Sequence, residues 1–441
     1  MPSQVTSSQV TSVPPADSAL EKHAYTKVFL RIVPLIMVCY IVAYLDRINV
    51  GFAKLQMEVD LGFSQTVYGL GAGMFFIGYF FFEVPSNLIM YRVGARLWIA
   101  RIMISWGLLS ACFVFVKTPF WFYTLRFLLG AAEAGFYPGV ILYLTYWYPD
   151  RRRAAIVAIF MSAIAIAGIV GNPLSGWIMG AFDKSAGMRG WQWMFIVEAI
   201  PAVIMGICVL LFLCDGIREA KWLTEVEKLQ LERNIEADTS TKKKSPHSLG
   251  AVLTDHRVWM MSAIYFCFVM GQYGLTFWMP TLVQATGVKD DFTTGLLSAI
   301  PFLAAVVVMI SCGRSADRHR ERRWHLVIPA FCGAVGFVVA SLTANNTFIA
   351  ITFLSLAAAG VLTCAPLFWS LPTSFLRGSA AAAGIAAVNS IGNLAGFVSP
   401  SLIGLLKDVT HDNRIGMYML AGMLVLGAVL VLRTRPEEVN H

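Results

Sequence analysis

Residues 28–47 have the sequence VFLRIVPLIMVCYIVAYLDR, and this stretch decides the fold class. It is apolar throughout except for Arg31 and the pair Asp46–Arg47 at its end. About 20 apolar residues in a helix span the roughly 30 Å hydrocarbon core of a bilayer. The stretch therefore predicts a transmembrane helix that carries a charged pair within the membrane.

Similar apolar stretches recur, and with the first they form two sets of six on either side of a polar interval. They lie near 65–88, 96–116, 120–147, 154–180, 191–214, 257–284, 293–313, 325–343, 347–371, 379–406 and 415–432. Charged residues make up only 14% of the chain, whereas soluble domains average about 25%. The sequence therefore predicts an all-α integral membrane protein with twelve transmembrane helices.

The predicted organisation is a six-helix bundle on each side of a linker, with a tail at each end. The segments are a disordered cytoplasmic tail at 1–24, an N-terminal bundle at 25–214, a cytoplasmic linker at 215–256, a C-terminal bundle at 257–433 and a cytoplasmic tail at 434–441. Thr224 and Glu227 form a capping-box pattern, which predicts a short amphipathic helix in the linker.

Lys and Arg residues concentrate in the loops on the side of the two termini. The positive-inside rule then places both termini in the cytoplasm, and we expect a multi-pass protein of the inner (plasma) membrane. The same location of the charges argues against nucleic-acid binding, although the net charge is +8.

Six charged side chains within the predicted spans are candidates for a functional role, because a charge there costs at least about 2.5–3.5 kcal/mol on insertion scales. They are Asp46, Arg47, Glu83, Arg126, Glu133 and Glu198. Arg126 and Glu133 are seven residues apart, which places them on one face of a helix, and Tyr137 extends that face. We expect Asp46, Arg47, Arg126 and Glu133 to cluster around a water-filled cavity.

Two interpretations of this four-charge cluster remain open. The side chains form structural ion pairs that hold helices together, or the pairs exchange partners during a functional cycle. An anion would take Arg47 from Asp46, because a guanidinium matches a carboxylate bidentately. A proton would release Arg126 from Glu133, since burial disfavours the charged form of a carboxyl group. For Glu83 gating and structural pairing are both open, and for Glu198 a helix-packing anchor is the favoured role.

Several segments resemble the anion:cation symporter family of the major facilitator superfamily, over about residues 25–435. They are YLDRINVGFA at 44–53, LRFLLGAAEAGFYPG at 125–139, GWQW at 190–193, the stretch 378–393 that begins GSAAAAG, and the loop motif GRSADR at 313–318. The resemblance implies two six-helix bundles with a substrate site between them near the midplane and alternating access by rocking. It also implies a monomer.

The resemblance further implies roles for individual residues. Asp46 and Glu133 would carry protons, with Arg126 tuning Glu133, and Arg47 would hold a substrate carboxylate. Further cavity candidates are Tyr44, Tyr79, Tyr137, Tyr273, Trp369, Ser370 and Asn393, and gating candidates are Glu83, Asp317 and Arg318. Related hexonate carriers place a glutamine where this chain has Ile164, which favours a smaller or more apolar acid.

The function predicted from the sequence is proton-coupled uptake of a small organic anion such as tartrate, a sugar acid or an aromatic acid. Sodium coupling, exchange and efflux remain alternatives within transport, and a non-transporting membrane sensor is an alternative outside it. The chain contains no His-Glu-x-x-His and no Gly-x-x-x-x-Gly-Lys-[Ser/Thr] motif. An intramembrane metalloenzyme and a nucleotide-driven pump are therefore disfavoured, and no enzyme activity, metal or cofactor is predicted.

Overall fold

The computed structural model describes residues 18–240, 255–375 and 379–435, and this part of the chain is helical with short connections. The first half contains α1 (Ser18–Leu61), α2 (Gln65–Val93), α3 (Ala95–Ala111), α4 (Pro119–Glu133), α5 (Phe136–Thr145), α6 (Asp150–Met161), α7 (Ala163–Ala181) and α8 (Gly190–Phe212). Residues 1–17 and 436–441 of the predicted tails, residues 241–254 of the predicted linker, and Gly378 of the quoted 378–393 stretch lie outside the described residues. The predicted disordered tail at 1–24 is wrong for residues 18–24, because α1 begins at Ser18.

The linker contains α9 (Glu225–Ser240). The second half contains α10 (His256–Gln284), α11 (Asp291–His319), α12 (Arg323–Leu342), α13 (Thr347–Phe368), α14 (Ser370–Phe375), α15 (Ser379–Asn393), α16 (Ala395–Thr410) and α17 (Asn413–Leu432). Hereafter the linker end is the end of the molecule at which α1 begins, and the distal end is the opposite one.

Within the described residues, eleven helical segments are long and apolar enough to cross a membrane. The twelfth predicted span, at 379–406, is divided into α15 and α16, of 15 and 16 residues. The division is a tightened turn, because the Leu394 N–H bonds to the Ile391 carbonyl at 3.2 Å. Each piece alone is short of the roughly 20 residues that a span requires.

The fourth predicted span is also divided, at a position that matters for the site. Helix α4 ends at Glu133, Ala134 leaves helical geometry, and Gly135 has a φ of 88°. That left-handed conformation favours glycine. A Cβ at Gly135 would also lie 2.4 Å from Ser86 Oγ. The predicted continuous face from Arg126 through Tyr137 is therefore wrong, because the helix breaks between Glu133 and Tyr137.

The two halves meet along two seams, one between α2 and α16 and one between α7 and α11. Glycines bring the backbones together in the distal part of each seam. A Cβ on Gly69 would lie 2.3 Å from the Pro400 carbonyl oxygen, and one on Gly176 would lie 2.3 Å from that of Asp291. Asp408 adds a polar link, since it accepts hydrogen bonds from the backbone N–H groups of residues 65 and 66.

The linker helix α9 begins with the predicted capping box. The Glu227 N–H donates to Thr224 Oγ1 at 3.3 Å, and the Thr224 N–H donates to Glu227 Oε2 at 2.9 Å. Lys27 Nζ lies 2.8 Å from Glu227 and ties α9 to α1. Burial acts to raise the pKa of Glu227, but hydrogen bonds from Lys27 and Thr224 outweigh it and hold the pKa below the usual value.

The predicted loop motif at 313–318 lies in the last turns of α11, which continues to His319. The Asp317 carboxylate pairs with Arg322 at 2.6 Å. Residues 320–322 form the short connection between α11 and α12. The expectation that the motif forms a loop is wrong, because the helix extends beyond its apolar stretch into a charged end.

Candidate functional site

A cavity of about 90 Å³ lies between the two halves, which is more space than one water molecule requires. Its lining comes from both halves of the chain. The lining residues are Tyr40, Tyr44, Arg47, Phe75, Phe76, Tyr79, Tyr137, Met161, Ile164, Tyr265, Val269, Gln272, Tyr273, Ala365, Trp369, Asn389 and Asn393.

The cavity lining is mostly aromatic and carries little charge. Among the described residues that line the cavity, Arg47 has the one charged side chain. Nine others are aromatic and three carry amides, namely Gln272, Asn389 and Asn393. The cavity therefore offers one positive charge, several ring surfaces and a few neutral hydrogen-bonding groups.

Arg47 forms an ion pair with Glu133, the last residue of α4. Its guanidinium carbon also lies 5.1 Å from the ring centre of Tyr44 and 5.0 Å from that of Phe75. The Glu133 side chain is 2% exposed. The predicted pairing of Arg47 with Asp46 is wrong, because successive helical residues point about 100° apart.

Asp46 points away from the cavity, into the N-terminal half. Its carboxylate accepts hydrogen bonds from Trp106 Nε1 at 2.5 Å, from Ser110 Oγ at 3.1 Å and from Asn49 Nδ2 at 3.3 Å. These donors are neutral, and Asp46 itself is 1% exposed. The predicted four-charge cluster is thus divided into the Arg47–Glu133 pair at the cavity, a separate buried carboxyl group at Asp46, and Arg126.

Arg126 is held by the backbone of α2. Its Nε donates to the Gly71 carbonyl at 3.3 Å and its Nη2 donates to the Ala72 carbonyl at 3.1 Å. The predicted ion pair with Glu133 is wrong, since Glu133 pairs with Arg47 instead. Arg126 still acts on Glu133 electrostatically, so it remains part of the surroundings of the pair.

Six of the seven further cavity candidates line the cavity with Arg47, although one does not. The six are Tyr44, Tyr79, Tyr137, Tyr273, Trp369 and Asn393. Ser370 follows Trp369, but its hydroxyl donates to the Leu367 carbonyl at 2.7 Å rather than to the cavity. Ile164 also lines the cavity, so the predicted apolar replacement for glutamine lies in the lining.

Several lining residues were not predicted from the sequence, among them Tyr40, Phe75, Phe76, Tyr265 and Gln272. Helical spacing was the available signal, because Tyr40 precedes Tyr44 by one turn and Phe75 precedes Tyr79 by one turn. Gln272 carries no such signal. Its amide donates to the Tyr44 hydroxyl at 3.0 Å and joins the two halves across the cavity.

The gating candidates lie toward the linker end. The Glu83 carbonyl accepts a hydrogen bond from Asn87 at 3.0 Å, and Arg318 is exposed next to the Asp317–Arg322 pair. Each of these contacts joins two residues of the same half of the chain.

The distal end is closed by a buried lysine that was not predicted as a site residue from the sequence. Lys54 on α1 is 1% exposed, and its Nζ lies 3.0 Å from Thr281 Oγ1 and 3.2 Å from Glu58. The same ammonium lies 3.7 Å from the ring centre of Trp278. Because Thr281 and Trp278 belong to α10, Lys54 joins the two halves beyond the cavity.

Comparison with known proteins agrees with this architecture. Residues 36–400 match the family model of the Major Facilitator Superfamily. The chain is 49% identical to a protein of Pseudomonas putida named as a metabolite transport protein, NicT, over 95% of this chain and 96% of that one. It is also 49% identical to a protein of Agrobacterium vitis named as a tartrate transporter, over 96% of this chain and 98% of that one.

Solved structures show the same fold. The inward-open xylose transporter XylE from E. coli superposes with a TM-score of 0.75 at 14% identity, and the match covers 92% of this chain and 96% of that one. The expected resemblance to organic-anion permeases of this superfamily is confirmed by the relatives named above. The chain therefore belongs to the Major Facilitator Superfamily and is a multi-span membrane transporter of small molecules, not an enzyme.

Proposed function

We propose that this transporter takes up a small organic anion together with protons, by alternating access across the inner membrane, and that it works as a monomer. The observation that carries the proposal is the position of Arg47. It is the one charged side chain among the described residues of the cavity lining, and its partner is a buried carboxylate, Glu133.

This pair provides a physical reason for coupling. A substrate carboxylate that binds Arg47 displaces Glu133 from it. An unpaired buried charge destabilises a protein by about 3–5 kcal/mol, so Glu133 takes up a proton as it leaves Arg47. When substrate and proton depart, the ion pair forms again. The exchange of partners therefore links one carboxylate of the substrate to one proton.

The other two intramembrane charges have supporting roles in this proposal. Arg126 favours the ionised form of Glu133 when no substrate is bound, since it is a positive charge nearby. Asp46, which is hydrogen-bonded by neutral groups and buried, would carry a second proton. Burial without a cationic partner favours the neutral carboxylic acid.

The orientation follows from the charges of the loops and from the closed end. We place the linker end in the cytoplasm, because Lys and Arg residues concentrate there. The distal closure by Lys54 and by the glycine contacts then faces the outside. In this assignment the molecule is closed toward the outside, the state from which substrate leaves to the cytoplasm.

The lining favours an aromatic monocarboxylate over tartrate or a sugar acid. One guanidinium matches one carboxylate, and a second carboxylate would lie in the cavity without a cation. The nine aromatic side chains offer surfaces for stacking against a ring. Ile164 removes a hydrogen-bonding group that a polyhydroxylated acid would use. Gln272, Asn389 and Asn393 remain available for a polar substituent on the ring.

Isothermal titration calorimetry of the purified protein with 4-hydroxyphenylacetate, benzoate, tartrate and gluconate tests this proposal. We expect the two aromatic acids to bind and Arg47→Gln to abolish that binding. Arg101→Gln is the matched control, because Arg101 lies within the same half but does not line the cavity. Tighter binding of tartrate than of either aromatic acid would contradict the substrate assignment, and unchanged binding in Arg47→Gln would contradict the role of Arg47.

A further inference from the structure

A second buried carboxyl group lies beside Asp46 and is not used by the mechanism above. Glu198 on α8 is 1% exposed, and its Oε1 accepts a hydrogen bond from Ser175 Oγ at 2.6 Å. Asn49 lies next to both carboxyl groups. Glu198 is eight residues from the start of α8, which places it about 12 Å from the distal end of that helix.

The surroundings of Glu198 contain no compensating cation in the part of the chain that the structure describes. Helix α8 packs against α1, α3 and α7. The charged group on these helices that acts on Glu198 is Asp46, a second acid, whereas Ser175 and Asn49 are neutral. An ionised carboxylate in such a place is strongly destabilised. The described surroundings therefore contain no charge that would stabilise an ionised Glu198.

A packing anchor does not account for these groups. An anchor between α7 and α8 needs the hydrogen bond from Ser175, which a neutral glutamine also accepts. Glu198 Oε2 has no hydrogen-bond partner within the described residues, and neither has Asn49 Oδ1. Buried polar atoms are normally satisfied, so these two atoms on adjacent side chains have capacity for a further polar partner such as water.

A proton that binds Asp46 needs a route other than the central cavity. Asp46 is absent from the residues that line the central cavity, so its proton must arrive by another route. Ser175 precedes Gly176, which contacts α11 at Asp291 in the seam between the halves. Ser175 therefore lies in the turn of α7 that contacts this seam, and its own side chain is buried against α8.

We propose that Glu198 is the residue that loads Asp46 with its proton from the distal side. The proton comes from distal water, binds the Glu198 carboxylate while the seam between α7 and α11 is open, and passes to the Asp46 carboxylate beside Asn49. Glu198 is left ionised and is protonated again from water. This inference rests on the proposed proton coupling.

Proteoliposomes test the inference, with uptake of radiolabelled benzoate or 4-hydroxyphenylacetate measured in two modes for each variant. One mode is driven by a pH gradient, and the other is counterflow exchange without a gradient. We expect Glu198→Gln to lower gradient-driven uptake about tenfold or more, as for loss of a positioned proton-transfer group. Counterflow should stay within about twofold of the wild type, since Gln still accepts the Ser175 hydrogen bond.

Glu198→Asp keeps the carboxyl group and should restore part of the gradient-driven uptake, which a purely structural role does not predict. Gradient-driven uptake at the wild-type rate in Glu198→Gln would overturn the inference, and so would an equal loss in both modes. If wild-type protein shows counterflow but no response to the gradient, the proposed proton coupling itself fails. That outcome is distinct, because it appears without any change at Glu198.

Discussion

Replacing Gly69 with alanine should shift the transporter away from the distally closed state. The new Cβ would lie 2.3 Å from the Pro400 carbonyl oxygen and 3.0 Å from its carbon, whereas ordinary contacts begin at 3.4 Å. Because these are backbone atoms, α2 and α16 must separate locally by about 1 Å. Overpacking of this kind costs about 1–3 kcal/mol. At about 1.4 kcal/mol per factor of ten, the closed state should lose roughly 5- to 150-fold in relative population.

Distances between nitroxide labels at Ser185 and Lys289 measure this shift by double electron–electron resonance. Both residues are exposed and lie in distal loops of opposite halves. The eight native cysteines must first be replaced. We expect the population with the longer distance to grow in Gly69→Ala.

Two glycines supply controls for this experiment. A Cβ added at Gly422 would have no neighbouring atom within 4 Å, so Gly422→Ala should leave the Ser185–Lys289 label distances unchanged. A Cβ added at Gly78 would lie 2.1 Å from the Phe127 carbonyl oxygen, and both residues belong to the N-terminal half. Gly78→Ala should therefore lower thermal stability without opening the distal end. Distances in Gly69→Ala that match the wild type, in a folded protein, would refute the assignment of this seam as the distal closure.

Three further changes test other parts of the account. Glu133→Gln frees Arg47 from its ion pair, so calorimetry should show binding of an aromatic acid at least about tenfold tighter and nearly independent of pH; weaker binding would contradict the exchange of partners. Lys54→Met removes the ammonium that joins α1 to α10 and should increase the longer Ser185–Lys289 distance, whereas an unchanged distribution would deny Lys54 a role in closure. The lowered pKa of Glu227 means that its pairing with Lys27 stabilises the fold above the ordinary value of 4.5 and that this contribution disappears as the pH falls through the lowered pKa. The free energy of unfolding should therefore exceed that of Glu227→Gln by about 1 kcal/mol or less at pH 7, and this difference should shrink as the pH is lowered below 4.5.

The sequence was sufficient for the architecture because hydrophobic length is a strong constraint in a membrane. Residues 28–47 lie within α1, and the capping box at Thr224 and Glu227 begins α9 as predicted. The cavity candidates Tyr44 and Tyr273 also line one cavity, although they are far apart in the chain.

The pairing of the charges was not predictable from the sequence. Helical spacing placed Arg126 and Glu133 on one face, but it does not show that the carbonyls of Gly71 and Ala72 satisfy Arg126. The break at Gly135 turns the chain after Glu133, and a single glycine in an apolar stretch is usually a packing position. Partner choice among buried charges depends on side-chain directions across several helices, which local patterns do not contain.

The most direct test of the central claim uses wild-type protein in proteoliposomes that contain a pH-sensitive dye. Addition of 4-hydroxyphenylacetate or benzoate outside should acidify the lumen, after correction for passive entry of the acid into protein-free liposomes. Glu133→Gln should lower this signal, because Asp46 is then the remaining proton carrier, while the variant still binds the acid. Acidification that is the same in Glu133→Gln, or wild-type uptake that follows a sodium gradient and ignores the pH gradient, would contradict coupling through the Arg47–Glu133 pair.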